Sequence, residues 1–85
     1  MKDIVLLTGN GCPACKTLKQ RLDTAGLLDK ITVRNVHEDD EAFDLLQSIG
    51  IRSIPLMVDK TNPENLHTLV GSNHPIELYE SVILK

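Results

Sequence analysis

Four consecutive apolar residues, Ile4-Val5-Leu6-Leu7, open the pattern and fit a strand buried on both faces. Thr8-Gly9-Asn10-Gly11 then reads as a loop, and the spacing predicts a helix from about Pro13 to Ala25. Ala14, Leu18, Leu22 and Ala25 line one face of it, while Lys16, Lys19, Gln20 and Asp23 lie mainly off that face. Gly26 suits a C-terminal cap, with Leu27 as its hydrophobic companion. Alternation over Ile31–Val36 predicts a half-buried strand. Asp39, Asp40 and Glu41 crowd the start of a second helix, where negative charge suits the helix dipole. Ala42, Leu45, Leu46 and Ile49 form its buried stripe, and Gly50 ends it. Leu56–Val58 and Leu66–Val70 read as two strands joined through the polar Asp59–Asn65 segment with its Asn62-Pro63 turn. After Gly71-Ser72-Asn73, a final helix from about Pro75 presents Ile76, Tyr79 and Ile83, flanked by Leu78 and Val82.

The element order is therefore β-α-β-α-β-β-α. The first βαβ unit demands a right-handed crossover and parallel strands, and the short final turn demands antiparallel pairing. An α/β fold follows: a mixed four-stranded sheet covered by three helices. No repeat, linker or low-complexity run divides the chain, so residues 1–85 are expected to form one domain.

The chemistry sits where the first strand meets the first helix. Cys12-Pro13-Ala14-Cys15 holds the chain's only two cysteines. Pro13 suits the first helical position, where a missing N–H costs nothing. Cys12 then lies beside unpaired backbone N–H groups and the positive end of the helix dipole. Such a position favours the thiolate, the species that attacks disulfides. Cys15, one turn on, can reach back and close a disulfide with Cys12. A C-x-x-C pair is also half of a structural zinc site, and two thiols can pack as small hydrophobes. Zinc wants further ligands at short spacing, but the chain has no other cysteine. Its histidines, His37, His67 and His74, include no H-x-x-x-H pair. The redox reading is preferred over both.

Composition narrows the field without choosing a substrate. Apolar residues make up 41% and charged residues 25%, as in ordinary soluble domains. Phe43 and Tyr79 are the only aromatics, so aliphatic side chains must fill the core. A net charge of −3 gives no general basis for nucleic-acid binding. No segment has the apolar length to cross a bilayer, and no secretory signal is visible at the N-terminus. For a complete chain the cytoplasm is expected, where a lone cysteine pair is more plausibly catalytic than a structural staple. A monomer is expected.

Taken together, the motif after the first strand and the segment Gly50-Ile51-Arg52-Ser53-Ile54-Pro55 resemble the thioredoxin–glutaredoxin superfamily over essentially the whole chain. The resemblance implies a thioredoxin-like fold with a cis peptide before Pro55, facing the thiols. It also implies that Ile54 offers backbone hydrogen bonds to an extended substrate. Val70-Gly71 matches the place where a family glycine lets substrate approach the backbone. With Gly11, Pro13 and Ala14 around the thiols, these residues make up the expected substrate-binding set. The bland readings are a strand-start proline and a plain turn glycine. Departures separate the subfamilies. Gly11 stands where thioredoxins have tryptophan, and Leu6 stands where they bury an aspartate. Cys-Pro-Ala-Cys is similar to the glutaredoxin Cys-Pro-Tyr-Cys. Yet Gly71-Ser72-Asn73-His74 replaces the glutaredoxin pair of glycines and acidic residue, so much of the glutathione clamp is missing.

What the resemblance implies is a thiol–disulfide oxidoreductase acting on disulfide-containing proteins. Cys12 would attack and Cys15 would resolve. No metal or organic cofactor is expected beyond the redox-active pair itself. Electrons would come from a flavoprotein thioredoxin reductase or from glutathione, and ribonucleotide reductase is a plausible recipient. The alternatives are a glutathione-dependent glutaredoxin and a non-catalytic thiol- or metal-binding module.

Overall fold

The computed structural model describes residues 3–62 and 64–84. Four strands, β1 (Ile4–Thr8), β2 (Thr32–Asn35), β3 (Leu56–Asp59) and β4 (His67–Val70), form one sheet in the order β2-β1-β3-β4. Three helices, α1 (Pro13–Thr24), α2 (Asp40–Ile49) and α3 (Ile76–Leu84), complete the expected element order. β1 pairs parallel with β2 and antiparallel with β3, and β3 pairs antiparallel with β4. The sheet is mixed, as the connections require. Pro63, expected in the β3–β4 turn, lies outside the described residues. No helix among them is long and apolar enough to cross a membrane.

β1 is central, and its continuous apolar run is explained by the two layers it feeds. Ile4 and Leu6 join Leu18, Leu22, Met57, Tyr79 and Ile83 in a core beneath α1 and α3. Val5 and Leu7, pointing the other way, join Leu56, Val58, Ala42 and Leu46 beneath α2. Each such side chain contributes about 1.5–3 kcal/mol relative to remaining exposed. Neither face of β1 could be left open to water at that cost.

Caps set the helix ends. Leu27 N–H donates to the Leu22 carbonyl (2.8 Å) and Gly26 N–H to that of Asp23 (3.0 Å), the paired bonds of a Schellman close. Gly26 takes φ 73°, and Leu27 then turns into the core beside Leu22. At the start of α2, the Asp39 carboxylate accepts from Glu41 and Ala42 N–H and from the Arg34 guanidinium (2.6 Å). Its carboxyl is held below the ordinary range, first by Arg34 and then by the Ala42 N–H.

Several boundaries differ from expectation. Ala25 is exposed rather than buried, because the chain leaves the helix there and Leu27 takes its place against the core. A 3-10 turn, Leu28–Lys30, follows where no element was expected. Thr8 belongs to β1, since it pairs with Asn35. The strand expected over Ile31–Val36 is shorter and mostly exposed. It lies at the sheet edge with Val33 38% exposed, and its buried apolar contacts come from Ile31 and Val36 at its two ends. Tyr79 is wholly buried, so one aromatic does sit among the aliphatic core, whereas Phe43 is 44% exposed.

Candidate active site

Cys12 and Cys15 are joined in a disulfide, with their Cα atoms 5.3 Å apart. The helix positions the pair. Cys12 is the N-cap of α1 with extended backbone, Pro13 occupies the first turn, and the Cys12 carbonyl accepts the Lys16 N–H (3.3 Å). The Cys12 Sγ accepts the Cys15 N–H (3.1 Å), one of the donors that every helix start leaves unpaired. Once the disulfide is reduced, that donor and the helix dipole favour charge on the Cys12 sulfur. Cys12 is half-buried, whereas Cys15 is only 2% exposed and lies on the same buried face as Leu18 and Leu22. Cys12 is thus the more accessible residue of the pair and Cys15 the enclosed one.

The loop before Cys12 is fastened to the strand beside it. Asn10 N–H donates to His37 Nδ1 (2.8 Å), and Asn35 Nδ2 donates to Asn10 Oδ1 (2.8 Å). Gly11, at φ 65°, turns the chain toward the helix in a conformation that side chains resist. Asn10, Cys12, Lys16, Lys19 and Asn35 line an open groove beside the disulfide. The two lysines make it basic. A second groove, lined by Phe43, Gln47, Ile51 and Arg52, holds no thiol.

Register brings the remaining predicted residues to the same end of the sheet. Leu56 pairs with Leu7, so the register carries Pro55 to the level of Thr8, the end of β1 from which the loop to α1 departs. The Ile54–Pro55 peptide is cis, and Pro55 is buried. A Cβ on Gly9 would lie 2.6 Å from Ile54 Cδ1, which places Ile54 against the thiol-bearing loop. Gly71 N–H donates to the Pro55 carbonyl (2.9 Å), extending the β3–β4 ladder past the Leu56–Val70 pair. Pro13 is exposed and Ala14 half-buried in the first turn of α1.

Sequence reasoning missed the residues that hold these loops. The Arg21 guanidinium donates to the carbonyls of Ser72 (2.5 Å) and His74 (2.6 Å) and lies over the Tyr79 ring. Tyr79 Oη donates to the Gly71 carbonyl (2.7 Å). Burial pushes the Tyr79 phenol above its ordinary value. Arg21 meets partners more than fifty positions away, and no local pattern signals that.

The fold and the site define a class: a thioredoxin-like α/β protein carrying a disulfide-forming C-x-x-C pair, the arrangement of thiol–disulfide oxidoreductases. Within that class the chain belongs to the glutaredoxin family, whose model, described as Glutaredoxin, matches residues 4–60. The match ends before β4, Gly71 and α3. No curated protein matches the sequence. Among solved structures, the chain is similar to a Malassezia sympodialis thioredoxin (Mala s 13) at 22% identity and TM-score 0.61, covering 94% of this chain and 74% of that one. The C-terminal domain of Neisseria meningitidis DsbD in its oxidised form gives 18% and 0.66, covering 94% and 78%. A thioredoxin from Thermus thermophilus gives 17% and 0.67, covering 95% and 70%. At these identities the likeness concerns the fold.

Proposed function

We propose that the protein reduces disulfides in partner proteins by dithiol exchange. The observation that carries this reading is the division between the two sulfurs: Cys12 half-buried at the helix start, Cys15 buried beneath it. In the reduced protein, the Cys12 thiolate attacks one sulfur of the substrate disulfide and forms a mixed disulfide, and the other substrate sulfur leaves as thiolate. The Cys15 thiolate then attacks Cys12 Sγ, releasing the second substrate sulfur and closing the Cys12–Cys15 bond. Two electrons pass from the protein pair to the substrate. The thiol pair itself is the redox currency. The substrate backbone would run along Ile54, Pro55 and Gly71, with Gly11, Pro13 and Ala14 around the attacked bond. A cytoplasmic setting and a recipient such as ribonucleotide reductase accord with the family.

Cys15→Ser, which lacks the resolving thiol, should accumulate a mixed disulfide through Cys12 with a protein disulfide substrate, visible by intact mass. Cys12→Ser should form none. Equal turnover by both variants and the parent would sink the proposal. A second reading, a glutathione-dependent glutaredoxin, is favoured by the family match. We place the flavoprotein reductase first because Gly71-Ser72-Asn73-His74 lacks the glutathione-holding pattern. Supplying reductase or glutathione separately during turnover separates the two.

A further inference from the structure

The loop that delivers Cys12 is clasped by a histidine. Besides the Asn10 N–H to His37 Nδ1 bond and the Asn35 to Asn10 side-chain bond, His37 N–H donates to Asn35 Oδ1 (2.8 Å). Asn10, Asn35 and His37 thus form a closed ring of hydrogen bonds. The contact is also steric. A Cβ on Gly9 would lie 2.9 Å from His37 Cε1 and 2.6 Å from Ile54 Cδ1, so the imidazole and the residue preceding Pro55 both close on Gly9 and leave no room for a side chain there. Two residues beyond Asn10 is Cys12.

The direction of the bond fixes the chemistry of the ring. A nitrogen that accepts an N–H carries no proton, so this bond requires the neutral imidazole with its proton on Nε2. An imidazolium has two donors and no acceptor. Protonation therefore sets N–H against N–H at Asn10 and opens the clasp, leaving only the Asn10–Asn35 bond on that side. From the thiol-bearing loop, Gly9 and Asn10 face the ring, and neither titrates; Ile54, which also closes on Gly9, carries no charge. Cys12 is the next titratable group along the loop. On the histidine's own segment Glu38 and Asp39 follow, the latter bound to Arg34.

We propose that His37 is a positioning residue for Cys12: the neutral imidazole fixes the Gly9–Gly11 loop for attack, and its protonation releases that loop. Attack on a protein disulfide then acquires an acid limb separate from the ionisation of Cys12. The inference rests on Cys12 being the attacking thiol, as proposed above. A cation near Cys12 would by charge alone raise the thiolate fraction, so rate and thiolate must be measured separately.

The test uses the reduced full chain from about pH 5 to about pH 8, the window in which histidine side chains change charge. The rate of attack on a protein disulfide is divided by the thiolate fraction read from thiolate absorbance. In the parent this ratio should fall about two- to tenfold toward acid, the scale of one hydrogen bond. His37→Asn, whose Oδ1 can accept from Asn10 at every pH, should hold the ratio high and flat. His37→Ala, lacking the acceptor, should give a low, flat ratio. His37 is exposed, so both variants should fold. A flat parent ratio, or the same acid limb in His37→Asn, overturns the inference while leaving the functional reading intact. No attack by the parent at any pH overturns both.

Discussion

Two loops meet at the same end of the sheet, and they are held in different ways. The thiol-bearing loop between β1 and α1 is fastened at the surface, through the side chains of Asn10, Asn35 and His37. The Val70–His74 loop between β4 and α3 is fastened from the core, by Arg21 of α1 and the wholly buried Tyr79 of α3. His74 Nε2 also meets the Val70 carbonyl at 2.6 Å. The difference separates two demands. On the proposed function, the edge that would present its backbone to substrate is built into the packing, whereas the loop that would carry the attacking thiol is secured by contacts that solvent can reach. Damage to the first should register as stability, and damage to the second as reactivity.

The largest effect is expected at Tyr79. Tyr79→Ala removes a wholly buried ring and leaves the Gly71 carbonyl without its donor, at a cost of about 3–5 kcal/mol on the scale of large aromatic deletions. Chemical denaturation checks this, and a loss below about 1 kcal/mol would break the claim that this loop is core-anchored. The phenol adds a pH signature. Its folded pKa is raised by burial, so the native state holds the proton more tightly than the unfolded chain. The corresponding stability is complete below about pH 10 and is lost as pH rises through the folded value. Parent stability should show that decline beyond its Tyr79→Phe counterpart.

Arg21→Met comes next. It keeps much of the aliphatic stem but removes the donors to Ser72 and His74, costing about 1.5–3 kcal/mol on the scale of hydrogen bonds to charged groups. The reaction of Cys12 with a small alkylating agent should stay near the parent rate, although Arg21 and Cys12 belong to the same helical segment. A large change in that rate with little loss of stability would invert the comparison.

Asn35→Ala should do the reverse, with the smallest effect on stability. Its lost bonds to Asn10 and His37 lie in exposed surroundings, so unfolding should shift by less than about 1.5 kcal/mol. The Cys12 alkylation rate should move more than it does in Arg21→Met. If it does not, the surface fastening has no bearing on the thiol.

The sequence was most informative where a contact is local. Pro13 at the helix start, the Gly26–Leu27 close and Asp39 before α2 are all short-range choices, and each stands where its chemistry predicts. The continuous run of β1 announced a doubly covered strand because four adjacent apolar side chains admit few other solutions. Ile31–Val36 misled because alternation cannot report that a strand lies at the edge, where Val33 meets solvent. The thiols were legible from spacing, and the cis peptide before Pro55 only from resemblance. Arg21, Asn10, Asn35 and His37 were not assigned a role because the bonds by which they fasten the two loops span 25 to 53 positions, all but the local one between His37 and Asn35. Only the folded chain brings them together.

The central claim is that the helix start makes Cys12 the attacking thiol and leaves Cys15 to resolve. Alkylation of the reduced protein across pH, with each cysteine followed separately by peptide mass, tests it most directly. Cys12 should label first, with a midpoint well below the free-thiol value of about 8.5, and Cys15 should remain protected in the fold. Labelling of Cys15 first, or of both thiols together at the free-thiol midpoint, would contradict the account.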